Sequence, residues 1–203
     1  MIGLDAAALS DRENYKLLIG SIVPRPIAFV TTLSDSGVLN AAPFSYFNIV
    51  SSNPPMVSVS VQRSGGRLKD TSRNAMAAGE FVVHIADESN IARINETAAN
   101  LPPEESEVAL VGLTPVPSAK VSVPGVAEAK IRMECVLERA IPLGGGESGP
   151  ACDLMIGRVV YFQLSEEVYA NGYIDPVKLG PVARLAGSAY AKLGETFSIE
   201  RPV

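Results

Sequence analysis

The residues with the most chemical potential in this sequence are Arg63 and the run Lys69-Asp70-Thr71-Ser72, which opens a helical pattern just after an alternating strand. A helix start carries unpaired N–H groups and a partial positive charge. Two cations and two hydroxyls gathered there make a seat for a phosphate monoester, of the kind that ends a mononucleotide. The same residues also support a plainer arrangement, in which Asp70 caps the helix while Arg63 and Lys69 are solvated. Composition alone does not separate the two.

Upstream, Asn40-Ala41-Ala42-Pro43-Phe44-Ser45-Tyr46-Phe47 sets small residues and a proline beside aromatic ones at the end of a strand pattern. A flat heteroaromatic ring needs close backbone approach and N–H or C=O groups at its polar edge, and small residues at a chain bend permit both. A hairpin corner capped by core aromatics would use the same residues.

The other reactive residue types exclude more than they offer. His84 is the only histidine, which removes a histidine-rich metal centre. Its place in Phe81-Val82-Val83-His84-Ile85 predicts a packed imidazole on a strand rather than a catalytic one. Cys135 and Cys152 are too few for a disulfide framework and lack zinc spacing, so reduced thiols in strands and no metal site are expected. Gly144-Gly145-Gly146 lacks the Lys-Ser/Thr and the following helix of a phosphate loop and reads as a hairpin connection. No G-x-G-x-x-G follows a strand pattern, so a dinucleotide-binding α/β domain is not supported.

The elements that must carry these residues are mostly strands. Residues 12–19 predict a short helix with Tyr15, Leu18 and Ile19 on one face and a stop at Gly20. Residues 26–33 and the chain from Val38 predict a hairpin about Ser34-Asp35-Ser36-Gly37. After the break at Asn53-Pro54-Pro55, residues 56–61 alternate, with Val57, Val59 and Val61 toward the core and Ser58 and Ser60 toward something polar. Residues 70–78 predict a helix stopped by Gly79, residues 80–85 a strand, and a second helix begins near Ser89. Pro102, Pro103, Pro115, Pro117 and Pro124 forbid a long element and predict a covering excursion, with residues 108–113 against the core. Ile131, Met133, Cys135 and Leu137 alternate with charged residues, the mark of a strand with one wet face. Residues 154–164 are apolar on both faces and belong in the middle of a sheet.

The 203 residues, 47% of them hydrophobic, suit one domain spanning 1–203. With 17 basic against 22 acidic side chains the net charge is −5, which argues against a nucleic acid or an anionic membrane as partner. No apolar run approaches the roughly 18 residues of a bilayer span, and the N-terminus lacks a basic start with an apolar block. A soluble, cytoplasmic protein is expected.

The runs Pro24-Arg25-Pro26-Ile27-Ala28, Asn40 to Phe47, Pro54-Pro55, Lys69-Asp70-Thr71 with Asn74, and Gly79-Glu80-Phe81-Val82-Val83 fall in one order and spacing. In that arrangement the sequence resembles the flavin reductase-like family, the group that includes flavoredoxin. The likeness is dense from Tyr15 to Ile85. It continues through Asp153-Leu154-Met155-Ile156-Gly157-Arg158-Val159 and Arg184-Leu185-Ala186-Gly187-Ser188-Ala189-Tyr190, covering nearly the whole chain.

The resemblance implies a mainly β fold, an FMN-binding split β-barrel with a few short peripheral helices, assembled as a homodimer with the flavin near the subunit interface. By the family pattern Ala42, Pro43, Phe44 and Ser45 line the isoalloxazine, and Ser58 and Ser60 the ring edge or ribityl chain. Arg63, Lys69, Asp70 and Thr71 take the phosphate end, with Asp70 orienting the lysine and capping the helix because two anions would repel. Arg25 either reaches the flavin or anchors the first strand. Tyr190 either closes over the site or joins the dimer contact. The implied activity is an FMN-dependent oxidoreductase, with NADH or NADPH as co-substrate, acting on free flavin, a redox protein or a small acceptor. The alternative is an electron carrier of the flavoredoxin type. In the short reductases that feed two-component monooxygenases a histidine commonly stands a few residues before the late Gly-Arg-Val. Here Cys152 occupies that position and is expected as a small buried filler.

Overall fold

The computed structural model describes residues 1–146 and 149–202. Its helices are α1 (Asp11–Ser21), α2 (Asp70–Ala78), α3 (Ile91–Glu96), α4 (Glu107–Leu110) and α5 (Pro176–Leu179). The first strands are β1 (Arg25–Pro26), β2 (Ala28–Leu33), β3 (Leu39–Phe44), β4 (Phe47–Ser52), β5 (Pro55–Gln62) and β6 (Glu80–Ile85). There follow β7 (Pro115–Val116), β8 (Gly125–Val126), β9 (Ile131–Leu143), β10 (Cys152–Leu164), β11 (Tyr169–Ala170), β12 (Tyr173–Ile174), β13 (Val182–Arg184) and β14 (Tyr190–Lys192).

Seven strands form one antiparallel sheet in the order β3-β2-β6-β9-β10-β5-β4. Its two outer strands, β3 and β4, are separated in sequence only by Ser45 and Tyr46. Three peptide steps reach at most about 11 Å, so the sheet must roll until its edges meet at that end. The Ser60 N–H of β5 donates to the Tyr46 carbonyl at 2.8 Å, extending the β4–β5 ladder into this short connection. The result is a barrel split along one seam.

Alternation sorts the sheet residues between two cores. Val57, Val59 and Val61 point inward with Val30, Phe81, Val83, Met133 and Met155, as the period of two requires. Phe29 and Val82 face outward and are covered by the proline-rich excursion through Val108, Leu113, Val121 and Val126. β10, apolar on both faces, lies between β9 and β5. Gly157 sits at a bulge in this strand, and a Cβ there would come within 2.3 Å of the Phe81 ring, so only glycine fits.

Local signals hold with shifted boundaries. Ser10 and Glu13 form a reciprocal capping box that starts α1 one residue earlier than the apolar pattern suggests, and the helix runs through Gly20, the expected stop, to Ser21. Gly79, left-handed at φ 72°, ends α2 where expected. The strand read from Pro26 is broken at Ile27: β1 joins β13 and β14 in a separate three-stranded sheet. The helix expected from Ser89 begins at Ile91, because a turn closes first: the Asn90 side chain accepts the Asp87 N–H, and the Asp87 carboxylate accepts the Ser89 N–H. The wet-faced strand runs on to Leu143, well past Glu138, since pairing with β10 sustains it beyond the local alternation. The glycine run is the β9–β10 connection, with Gly144 and Gly145 at positive φ. Among the described residues no helix is long and apolar enough to cross a membrane.

Candidate functional site

Three clefts open at the rolled end of the sheet, and Pro43 and Phe44 line all of them. The α2 cleft, about 230 Å³, is bounded by Asn40, Ala42, Lys69, Asp70, Thr71, Asn100 and Glu107. The α1 cleft, about 200 Å³, adds Tyr15, Arg25, Ser45, Tyr46, Ser60, Gln62 and Arg184, and shares Lys69. The α3 cleft, about 180 Å³, runs between Ser45, Ile91, Asn95, Ala98, Arg184 and Tyr190. Tyr190 then borders a further cleft of about 360 Å³ walled by Ile91, Ala92, Val182 and Ala191. The end of β3, Ala42 to Phe44, with the turn at Ser45 that follows it, thus stands at the meeting of a polar, cationic cleft and a more apolar one.

The cationic end is built by α2. Lys69 is the N-cap residue and its side chain makes no capping bond. The first backbone bond of the helix comes from Arg73 N–H to Lys69 O, so the N–H groups of Asp70, Thr71 and Ser72 precede the helical ladder. Asp70 lies in the first turn and pairs with Arg73. The carboxylate is turned along the helix and does not cap it, which corrects the expected capping role. Ser72 is fully buried and its hydroxyl has no partner among the described residues.

Beneath this helix start lies a buried polar chain. Asn40 is held by both oxygens of Glu107, at 3.0 and 3.1 Å, and the Ala41 N–H donates to Glu107 at 3.0 Å. The Thr71 hydroxyl donates to Asn40 Oδ1 at 3.1 Å. Burial pushes the Glu107 carboxyl above its usual value; the Ala41 N–H and the Asn40 amide oppose the shift, and the charge of Asp70 adds to it.

The two cations expected at the phosphate end part company. Arg63 is gripped by both oxygens of Asp153, at 3.0 and 2.6 Å, with its remaining nitrogen 3.3 Å from the Gly66 carbonyl, and it borders none of the three clefts. The register of β5 against β10, with Val61 opposite Asp153, brings Asp153 there. Lys69 makes no ion pair among the described residues and lines two of the clefts.

Arg25 is buried and its guanidinium bonds the carbonyls of Ile19, Ile22 and Leu185, at 2.7, 2.5 and 3.0 Å. It therefore ties the end of α1 and the β13–β14 hairpin to the first strand, and its Nε reaches Ser45 Oγ at 3.5 Å. Ser60 faces the α1 cleft, while Ser58 borders none of the three and leans on the Asn48 carbonyl at 3.4 Å. Tyr190 donates to Asn95 at 2.7 Å and stacks under Arg184 at 4.5 Å, pinning the hairpin across the α3 cleft. Burial, with Tyr15 adding to it and Arg25 opposing it, pushes the neighbouring Tyr46 phenol above its usual value.

Cys152 is half-buried at the strand end, with its thiol toward the Leu143 carbonyl at 3.8 Å, rather than fully enclosed as expected. Cys135 is enclosed, and burial pushes its thiol up to about 12. His84 is buried, accepts the Val126 N–H at Nε2 and faces the Phe29 carbonyl with Nδ1, which fixes the proton on Nδ1. No cluster of metal-ligating side chains occurs among the described residues. The sequence reading missed Glu107, Gln62 and Asn95, which carry no local motif. Asn40 lay inside the aromatic run without being singled out.

The chain matches the flavin reductase like domain over residues 19–178. It is 63% identical to the crystal structure of nitrilotriacetate monooxygenase component B from Bacillus cereus, with 98% of each chain covered and a TM-score of 0.96. A 2-nitrobenzoate 2-nitroreductase from Pseudomonas fluorescens is 30% identical, with 99% of this chain and 96% of that one covered and a TM-score of 0.85. The uncharacterized protein YwrF of Bacillus subtilis is 56% identical over 199 residues, 97% of each chain. With its mainly β split barrel and Pro43 on the β3 edge at its seam, the chain belongs to the flavin reductase-like family.

Proposed function

We propose that the protein is an FMN-binding oxidoreductase, one domain spanning 1–203, that passes electrons from NADH, NADPH or a reduced partner to free flavin, a redox protein or a small acceptor. The observation that carries this reading is the union of a lysine without an ion pair among the described residues and open first-turn N–H groups with the Pro43 ledge in one run of clefts. These residues fit the cofactor: the cation and N–H groups suit a phosphate, and the small residues Ala42 and Ser45 leave the backbone approachable to a flat ring. Bound flavin supplies the hydride and electron chemistry. Lys69 and the α2 start hold the phosphate, Ala42, Pro43, Phe44 and Ser45 bear the ring, and Ser60 serves its polar edge. Arg25 steadies Ser45, and Tyr190 closes the α3 side, shielding the ring from water.

The relatives named as a monooxygenase component and a nitroreductase support a reductase. The exposed Ile49 and Val50 on the edge strand β4 support a homodimer, since a second copy would cover them. A cytoplasmic location accords with two free thiols. The protein isolated from cells should be yellow, and NADH or NADPH should bleach it rapidly in stopped flow. A colourless protein that fails to take up FMN overturns the proposal. One observation favours the second reading, an electron carrier: the only histidine is buried with both ring nitrogens engaged, so none can stand beside a nicotinamide. Reduction by dithionite or a protein donor alone would select it.

A further inference from the structure

The floor of the α2 cleft holds a carboxylate that the flavin reading leaves unused. Glu107 is buried, yet it borders the cleft beside Lys69, Asp70 and Thr71. An ionised carboxylate only accepts hydrogen bonds, so the Asn40 amide beside both its oxygens must turn its NH₂ toward it. Asn40 Oδ1 then lies on the other side, where it takes the hydroxyl protons of Thr71 at 3.1 Å and Thr32 at 3.2 Å. A threonine has one proton to donate. While Glu107 is ionised, Thr71 therefore offers only lone pairs to anything in the cleft, and lone pairs repel an anion's oxygens.

We propose that Glu107 is a positioning residue that sets, through Asn40, whether Thr71 accepts or donates in the cleft, and so makes the affinity for a phosphate monoester depend on pH. The inference rests on the reading of this cleft as the flavin phosphate seat. A proton taken from solvent gives Glu107 an O–H that donates to Asn40 Oδ1. The amide turns over, its two N–H bonds face the oxygens of Thr71 and Thr32, and the Thr71 proton is freed toward the cleft. The same proton removes a buried negative charge from beside the anion. Both changes tighten phosphate binding as the pH falls. The charged groups around Glu107 are Asp70 on α2, which opposes its ionisation, and Lys69, which shares the cleft; β3 brings only the neutral Asn40 amide and Ala41 N–H. With burial the leading cause, the carboxyl titrates above its usual 4.5.

The test titrates FMN, and riboflavin, which lacks the phosphate, by flavin fluorescence from about pH 5 to about pH 8, a range that spans the phosphate's own second ionisation near 6. A glutamine at 107 can accept the Ala41 N–H while donating to Asn40, so Glu107→Gln imitates the protonated state at every pH. Near pH 8 it should bind FMN about tenfold tighter than wild type, the worth of one hydrogen bond to a charged group. That ratio should shrink toward one on acidification, and it should stay near one for riboflavin. Adding Thr71→Val to Glu107→Gln should remove the hydroxyl's share of the gain and leave only that of the lost charge. A ratio that ignores pH, or an equal gain for riboflavin, overturns the proposal, whereas wild-type protein that binds neither flavin overturns the underlying site reading. Should Glu107→Gln not fold, Thr71→Val alone decides: if its FMN affinity rises on acidification as steeply as that of wild type, the mechanism is overturned.

Discussion

Two glutamates are buried by the covering excursion, and their surroundings diverge. Glu134 on β9 accepts the N–H groups of Ala119 and Lys120, at 2.8 and 2.6 Å, and the amide of Gln163 at 2.5 Å. Burial would raise its carboxyl, but these donors outweigh burial and hold it below the usual range. Glu107 has one backbone N–H and one side-chain amide, and burial prevails. The other partners of that amide include a hydroxyl at a cleft. A buried polar group with saturated valences fastens loops to the sheet, whereas one whose partner still faces a cleft stays open to a ligand. Arg63 and Lys69 repeat the contrast on the surface.

The largest effect should come from Glu134→Ala, which strands buried donors and should cost about 3–5 kcal/mol in urea unfolding. If Glu107→Ala costs as much, the contrast between the two carboxylates is lost. His84 belongs to the saturated region, and burial, only partly offset by the Phe29 carbonyl, brings it from 6.5 down to about 4. Its folded pKa lies below the unfolded one. The stability it supplies is therefore present above 6.5 and lost as the pH falls toward about 4, a loss of about 3 kcal/mol that His84→Gln should flatten. An unfolding profile of wild type that is level across this window would break the assignment.

Among the cations, Lys69→Ala should weaken FMN binding about tenfold with unfolding unchanged, as befits a charge-assisted bond to a ligand. Arg63→Ala should do the reverse, lowering the unfolding midpoint by leaving Asp153 unpaired while FMN affinity holds. An exchange of these two phenotypes would return Arg63 to the phosphate end. The smallest expected effect is that of Tyr190→Phe, which removes one hydrogen bond worth about 1 kcal/mol. It should appear as faster amide exchange in β13 and β14 without loss of global stability.

Much of the fold was legible in the sequence because the deciding forces are local. The Val57-Val59-Val61 alternation, the Gly79 stop and the two-faced apolarity of residues 154–164 act within a pleat or a turn, and the corresponding elements formed. The candidate site was legible in part. Lys69, Thr71, Pro43 and Ser45, which the family resemblance assigned to one ligand, border one run of clefts. Ser58 and Arg63 do not, because strand pairing gave each an internal partner. Glu107 could not be seen beforehand: it lies in a proline-rich stretch without periodicity, and its partner Asn40 is 67 residues away.

By itself, the sequence determined where strands alternate, where α2 begins with a lysine, and where small residues and a proline allow a close backbone approach. Each depends on neighbours within a few residues, through side-chain direction, glycine's freedom at positive φ and the unpaired N–H groups of a helix start. Only the tertiary structure decided which cation is neutralised and which buried carboxylate is saturated. Asp153 meets Arg63 across 90 residues through the β5–β10 register, and the closing of β3 toward β4 sets Pro43 and Lys69 on one cleft. Ion pairing and hydrogen bonding need contact within about 3 Å, a distance that chain folding sets and sequence separation does not.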